Sequence, residues 1–237
     1  MLEKYYPYEY VEDVFCIDYK KIFDKGYKGI IFDLDGTLWN ATKQIAESWN
    51  VVFERYDDID LRLTTKELEQ QMGKLMETIA DNLLPNIPVE RRYKILQECC
   101  EYENEYLLTH SGVLYPDIKD IFKKLNEKYS VYIVSNCQAG YIEAFLKVTD
   151  LGEYVTDFEN PGRTGKPKAD NIRLVIERNN LDKAFYVGDT QGDYDATMAA
   201  GIPFIFAAYG FGNIDGDEEE IQGLNELPDL IDKLVEK

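Results

Sequence analysis

Short apolar runs alternating with amphipathic helical stretches constrain this chain more than any other feature. Residues 30–33, 131–135, 155–158, 184–188 and 203–207 each read as a buried strand. Helical periodicity covers residues 117–128, 140–147, 169–179, 194–200 and 228–236, the last with a proline in its first turn. Such alternation is the pattern of an α/β fold on a parallel, Rossmann-like sheet. Open parallel sheets bind ligands outside the carboxyl ends of their strands, so chemistry is expected in the few residues that follow each run.

Residues 41–112 break the pattern, with several helical stretches and no convincing strand. Ile45, Trp49, Val52, Phe53 and Tyr56 fall on one helical face, and Leu68, Met72, Leu75, Met76 and Ile79 continue the theme. Thr64 followed by Glu67 offers a capping box, and Pro88 can start a long helix through Cys100 to about Leu108. The interval reads as an all-α domain inserted into a core made of residues 1–40 and 113–237, with its Met and aromatic stripes as its internal packing. The tyrosine-rich residues 1–28 are expected to lie along the core as an arm. Residues 212–220, with Asp215, Asp217 and consecutive glutamates, read as a solvated acidic loop.

Charge narrows the possible partners. With 26 basic against 45 acidic residues the chain carries a net charge of -19, which repels nucleic acid and anionic membrane surfaces. An anionic substrate therefore needs local lysines, backbone amides or a metal cation. No apolar stretch has the length of a membrane span and the first residues lack a signal-peptide core, so a cytoplasmic location is expected. Cys16, Cys99, Cys100 and Cys137 form no CxxC pair and read as reduced packing residues. His110 is the single histidine, which argues against a histidine-dependent triad.

Asp33-Leu34-Asp35-Gly36-Thr37 follows the first apolar run and puts two carboxylates at one sheet edge. Two acids one residue apart can divide the work of nucleophile, proton donor and metal ligand. An EF-hand is disfavoured because no series of oxygen ligands ending in Glu follows at the required spacing. Ser135 and Asn136 end the second run and can donate to phosphate oxygens. Lys166, in Thr164-Gly165-Lys166-Pro167, places an ammonium in a turn before a helix, where it can neutralise phosphate charge. Asp189 and Asp193, in Gly188-Asp189-Thr190-Gln191-Gly192-Asp193, are hard oxygen ligands suited to Mg²⁺.

Taken in order, Asp33 to Thr37, Ser135, Lys166 and Gly188 to Asp193 resemble the four motifs of the haloacid dehalogenase superfamily. The helical insertion is similar to its C1 cap, and Ala200-Gly201-Ile202-Pro203-Phe204 followed by Tyr209-Gly210 is similar to its phosphoglycolate-phosphatase-like members. The resemblance implies an α/β core with a helical cap and a Mg²⁺-dependent phosphatase acting on a small phosphorylated metabolite such as phosphoglycolate. It implies Asp33 as nucleophile and Asp35 as general acid and base. Asp33, Asp35 through its carbonyl, Asp189 and Asp193 would serve the metal. Ser135, Asn136, Lys166 and Gly36 would serve the phosphate, with Thr37 supporting the turn. A monomer or homodimer is expected.

Several alternatives share these motifs. A β-phosphoglucomutase-like transferase would carry every one of them, and inorganic pyrophosphate is another substrate for C1-capped enzymes. A receiver-type signalling domain also places an Asp, a Ser or Thr and a Lys at strand ends, but lacks Asp35 and a seventy-residue insertion. Asp35 argues against a haloalkanoic acid dehalogenase, which has no acid at that position.

Overall fold

The computed structural model describes residues 27–236; Cys16 and all but the last two residues of the expected arm lie outside them. In chain order the elements are β1 (Tyr27–Phe32), β2 (Trp39–Asn40), α1 (Thr42–Phe53), α2 (Thr65–Glu69), α3 (Met76–Leu83), α4 (Val89–Leu107) and β3 (Val113–Leu114). There follow α5 (Ile118–Asn126), β4 (Ser130–Val134), α6 (Tyr141–Thr149), β5 (Val155–Glu159), α7 (Pro161–Thr164) and α8 (Lys168–Arg178). The chain closes with β6 (Lys183–Gly188), α9 (Gln191–Ala200), β7 (Phe204–Ala207), β8 (Glu219–Ile221) and α10 (Leu227–Glu236).

Six strands form one parallel sheet in the order β5-β4-β1-β6-β7-β8. Its inner strands β4, β1, β6 and β7 are largely apolar because both faces are covered. Along β1, Ile30 and Phe32 join the cluster that holds Phe122, Leu125 and Ile231, whereas Ile31 joins Ile172 and Val175 on the opposite face. All three β1 side chains are fully buried, and each such burial is worth about 1.5–3 kcal/mol. β1 is central, so the two acids that follow it sit at the middle of the sheet's carboxyl edge.

Residues 212–218 form the expected acidic loop, but its expected last two residues, Glu219 and Glu220, belong instead to the strand β8. Glu219 pairs with Ile205, Glu220 with Phe206 and Ile221 with Ala207. Its single buried apolar side chain, Ile221, leaves no alternation to read, while exposed glutamates suit an edge strand because they discourage further pairing.

Between β2 and β3 lie the four helices α1 to α4. The two strands pair antiparallel, Trp39 with Leu114 and Asn40 with Val113, so the outgoing and returning chains run side by side. Trp39 anchors this crossing edge-on against Tyr141 and Phe145, with ring centroids 5.8 and 5.0 Å away. Thr64 and Glu67 close the capping box that starts α2, and Pro88 precedes α4. The helical segment leans over the carboxyl edge of the sheet. Asn136 Nδ2 donates to Gly73 O at 2.9 Å and Asn104 Nδ2 donates to Ala139 O at 2.9 Å. Gly73 adopts φ +78°, and a Cβ there would lie 2.9 Å from Thr190 Oγ1, so the approach of this loop to the core depends on glycine.

Candidate active site

Asp33 leaves β1 as its backbone N–H donates to Val187 O at 2.9 Å. That bond continues the β1–β6 ladder by one residue and aims the carboxylate over the edge. The following turn needs Gly36, whose φ is +86° and whose Cβ would lie 2.2 Å from Asp189 Oδ2. The close approach brings the β1 turn against the acid that follows β6. Thr37 Oγ1 donates to Asp189 Oδ1 at 3.3 Å, and the backbone N–H of Phe211 donates to Asp189 Oδ2 at 2.7 Å. Thr37 is itself fixed by Tyr209, whose hydroxyl donates to its carbonyl at 2.8 Å.

Asp33, Asp189 and Asp193 converge, all buried, with one carboxylate oxygen from each within 4.8 Å of the others. Asp193 is also the third residue of α9 and completes a capping box with Thr190, its Oδ2 accepting from Thr190 N at 3.0 Å and Oγ1 at 2.7 Å. Its other oxygen accepts from Tyr186 Oη at 3.3 Å. One carboxylate thus caps the helix through Oδ2 and meets Tyr186 and Lys168 through Oδ1.

The cation among these acids is Lys168, which corrects the expectation placed on Lys166. Lys168 Nζ donates to Asp33 Oδ1 at 2.7 Å and to Asp193 Oδ1, and its side chain is buried. Lys166, two residues earlier, is exposed at the rim of a neighbouring cleft. Pro167 caps α8 and Lys168 is its first residue. A lysine at a helix start opposes the helix dipole, a local anomaly that marks Lys168 as held there by carboxylates.

The electrostatics follow from three buried carboxylates facing one ammonium. Burial pushes Asp33 up to about 6, helped by Asp193 and opposed by Lys168 and the Ser135 hydroxyl. Burial, Asp193 and Asp33 hold Asp189 well above the usual carboxylate range. Burial works against the Lys168 charge, but Asp193 and Asp33 outweigh it and hold the ammonium above its ordinary value. Excess negative charge on hard, buried oxygens fits a divalent cation.

Asp35 points differently. It is half-buried and accepts a 2.7 Å hydrogen bond from the Tyr141 hydroxyl. Burial pushes its carboxyl up to about 8, against the Tyr141 bond and with the help of Asp33 and Glu103. A protonated carboxyl near neutral pH is a proton donor in waiting.

Asp33, Asp35, Ser135, Asn136, Cys137 and Tyr141 line a cavity of about 40 Å³ closed from above by the helical segment. Ile45, Trp49, Leu68, Met72, Met76 and Ile79 contribute to its roof, so the stripe expected as internal packing also faces the acids. Glu103 on α4 enters the same cavity. Its oxygens accept from Trp49 Nε1 at 2.5 Å and from Gln138 Nε2 at 2.9 Å, and burial pushes it up to about 7 against those two bonds. Lys168, Tyr141, Gln138 and Glu103 escaped the sequence reading. His110 lies exposed, stacked on Tyr106 at 4.0 Å.

Comparison with known proteins gives a consistent picture. The family model of haloacid dehalogenase-like hydrolases matches residues 30–207. A phosphoglycolate phosphatase of Shigella boydii is 23% identical over 232 residues, covering 84% of this chain and 90% of that protein. A predicted phosphatase from Clostridium acetobutylicum superposes with a TM-score of 0.74 at 22% identity, over 88% of this chain and all of the other. CbbY from Rhodobacter sphaeroides, in complex with xylulose-1,5-bisphosphate, superposes with a TM-score of 0.70 at 16% identity, over 85% of this chain and 96% of that one.

Proposed function

Because the chain belongs to the haloacid dehalogenase-like hydrolases, we propose that it is a Mg²⁺-dependent phosphatase that hydrolyses a small-molecule phosphomonoester through an aspartyl-phosphate on Asp33. The observation that carries this reading is the division of labour between two acids one residue apart. Asp33 is tied to Lys168 inside a carboxylate cluster, while Asp35 is turned toward the Tyr141 hydroxyl and burial pushes its carboxyl up to about 8.

In this reading the Asp33 carboxylate attacks phosphorus and the bond to the leaving oxygen breaks, splitting one hard displacement into two easier ones. Asp35 gives its proton to the leaving oxygen and then takes one from the water that attacks the acyl phosphate, so the second P–O bond breaks and Asp33 is regenerated. Lys168 and the Ser135 hydroxyl, both beside Asp33, are placed to stabilise charge on the transferring phosphoryl oxygens. Asn136 and the Gly36 turn complete that cradle. Asp33, Asp189 and Asp193, with the Asp35 carbonyl, would hold Mg²⁺, which when bound neutralises phosphoryl charge that these acids would otherwise repel.

The helices between β2 and β3 act in this account as a cap. Both connections pass through the β2–β3 pair, and the contacts of Gly73 with Asn136 and Thr190 are where the cap meets the core. Closure would exclude water from the acyl phosphate until the leaving group departs.

Phosphate release from phosphoglycolate, pyrophosphate and sugar phosphates, with Mg²⁺ and with EDTA, checks the proposal. Turnover of a monoester that EDTA abolishes and added Mg²⁺ restores is expected. Turnover unaffected by EDTA contradicts the metal assignment, and activity only in the presence of a sugar bisphosphate points to a mutase.

A further inference from the structure

The cavity above Asp33 and Asp35, at about 40 Å³, has room for roughly three waters by the volume a water needs. It is by far the smaller of two neighbouring spaces, and it suits a phosphoryl group. Through a wall made of Met76, Asn136, Cys137 and Gln138 it adjoins a second, far larger cleft of about 900 Å³, since those four residues line both. On one side of this cleft stand Leu75, Tyr93 and Leu96 of the helical segment, and on the other Pro161 and Gly162 of the core. Most of the lining surface is apolar, with Glu77, Lys166 and Asp170 as its charged members, and the cleft opens to solvent along α4, where Tyr93 and Gln97 are exposed.

We propose that this cleft between α3–α4 and the loops after β4 and β5 holds the leaving group, and that the preferred substrate is a phosphomonoester of an apolar, ring-bearing alcohol. The inference rests on the phosphatase reading for the position of the phosphate, and it adds the class of alcohol. Binding pockets of several hundred Å³ lined by apolar side chains select ligands by buried apolar area. Glycolate, with two carbons, would fill little of this space. An aromatic ring attached to the ester oxygen would extend beyond Asn136 and Gln138, which border both spaces, and lie against Leu96 and Tyr93.

The test compares kcat/KM for 1-naphthyl phosphate, phosphoglycolate and acetyl phosphate in the wild type, Gln97→Trp and Tyr93→Asp. Both altered positions lie on the exposed face of α4, away from the packed interior. In the wild type, naphthyl phosphate is expected to exceed phosphoglycolate by at least about tenfold, the scale on which an apolar pocket discriminates. Each variant should lower the ratio of naphthyl to acetyl phosphate kcat/KM by about tenfold, chiefly through KM. Equal preference for glycolate and naphthyl esters, or a ratio that neither variant moves, overturns the assignment. Binding of 1-naphthyl phosphate to Asp33→Asn, followed by naphthyl fluorescence, separates the two readings. Binding weakened by Gln97→Trp, without turnover of any ester by the wild type, supports the cleft and sinks the phosphatase. Turnover with no dependence of binding on Gln97 sinks the cleft and spares the phosphatase.

Discussion

Replacing Lys168 by methionine is expected to lower kcat/KM by at least about a hundredfold, the usual cost of one preorganised charge-stabilising donor. Lys166→Met should change turnover of acetyl phosphate little, because the exposed Lys166 side chain is outside the carboxylate cluster. The two lysines are separated by one proline, so the pair is a sharp comparison of placement at constant composition. Lys168→Met also removes the ammonium from Asp33 and Asp193. Breaking a buried ion pair from one side costs about 3–5 kcal/mol, reduced here to the extent that Asp33 and Asp189 take up protons, toward which burial already biases them. Phosphate release and urea unfolding on the same preparations check both halves. Equal losses in the two variants, or a larger loss for Lys166→Met, would contradict the placement.

Asp35→Asn should act through the leaving group. An acid that protonates a departing alkoxide contributes about 10²–10⁴-fold, and it matters less when the leaving group is stable as an anion. The amide keeps an acceptor for the Tyr141 hydroxyl and loses the transferable proton. Alkyl phosphate hydrolysis is therefore expected to fall by about a thousandfold, while phosphorylation of Asp33 by acetyl phosphate, which releases acetate as a stable anion, should fall far less. Single-turnover kinetics on the two substrates give the comparison. A uniform loss across both would assign Asp35 to the architecture of the turn rather than to proton transfer.

Legibility of this chain tracked how local each signal was. The central strands could be read because residues such as Ile30, Ile31 and Phe32 are buried on both faces and form an uninterrupted apolar run. β8 could not, since two of its three residues are exposed glutamates placed by backbone pairing with β7. Asp33, Asp35, Asp189 and Asp193 stand directly at strand ends, where topology alone brings them to one edge. The choice between Lys166 and Lys168 depended on which side of Pro167 the chain turns inward. The clue was local but unread: a lysine on the first turn of a helix needs carboxylates to offset the dipole. Tyr141, Gln138 and Glu103 had no sequence signature, because their approach to Asp35 depends on how α4 and α6 lie against the core. The Met-rich stripe serves as packing and as cavity roof together, a double role that helical periodicity does not distinguish from packing alone.

The family places phosphatases and their relatives on one fold, and fold alone does not assign chemistry. The claim at the centre of this account is that Asp33 carries the phosphoryl group. Rapid acid quench of the wild-type protein during turnover of acetyl phosphate with Mg²⁺, followed by peptide mapping, tests it most directly. The account predicts one phosphoryl group on the peptide containing Asp33, absent from Asp33→Asn and accumulating when the water-activating Asp35 is replaced by asparagine. Turnover with no phosphorylated peptide in any of the three proteins, or the label on another residue, would contradict it.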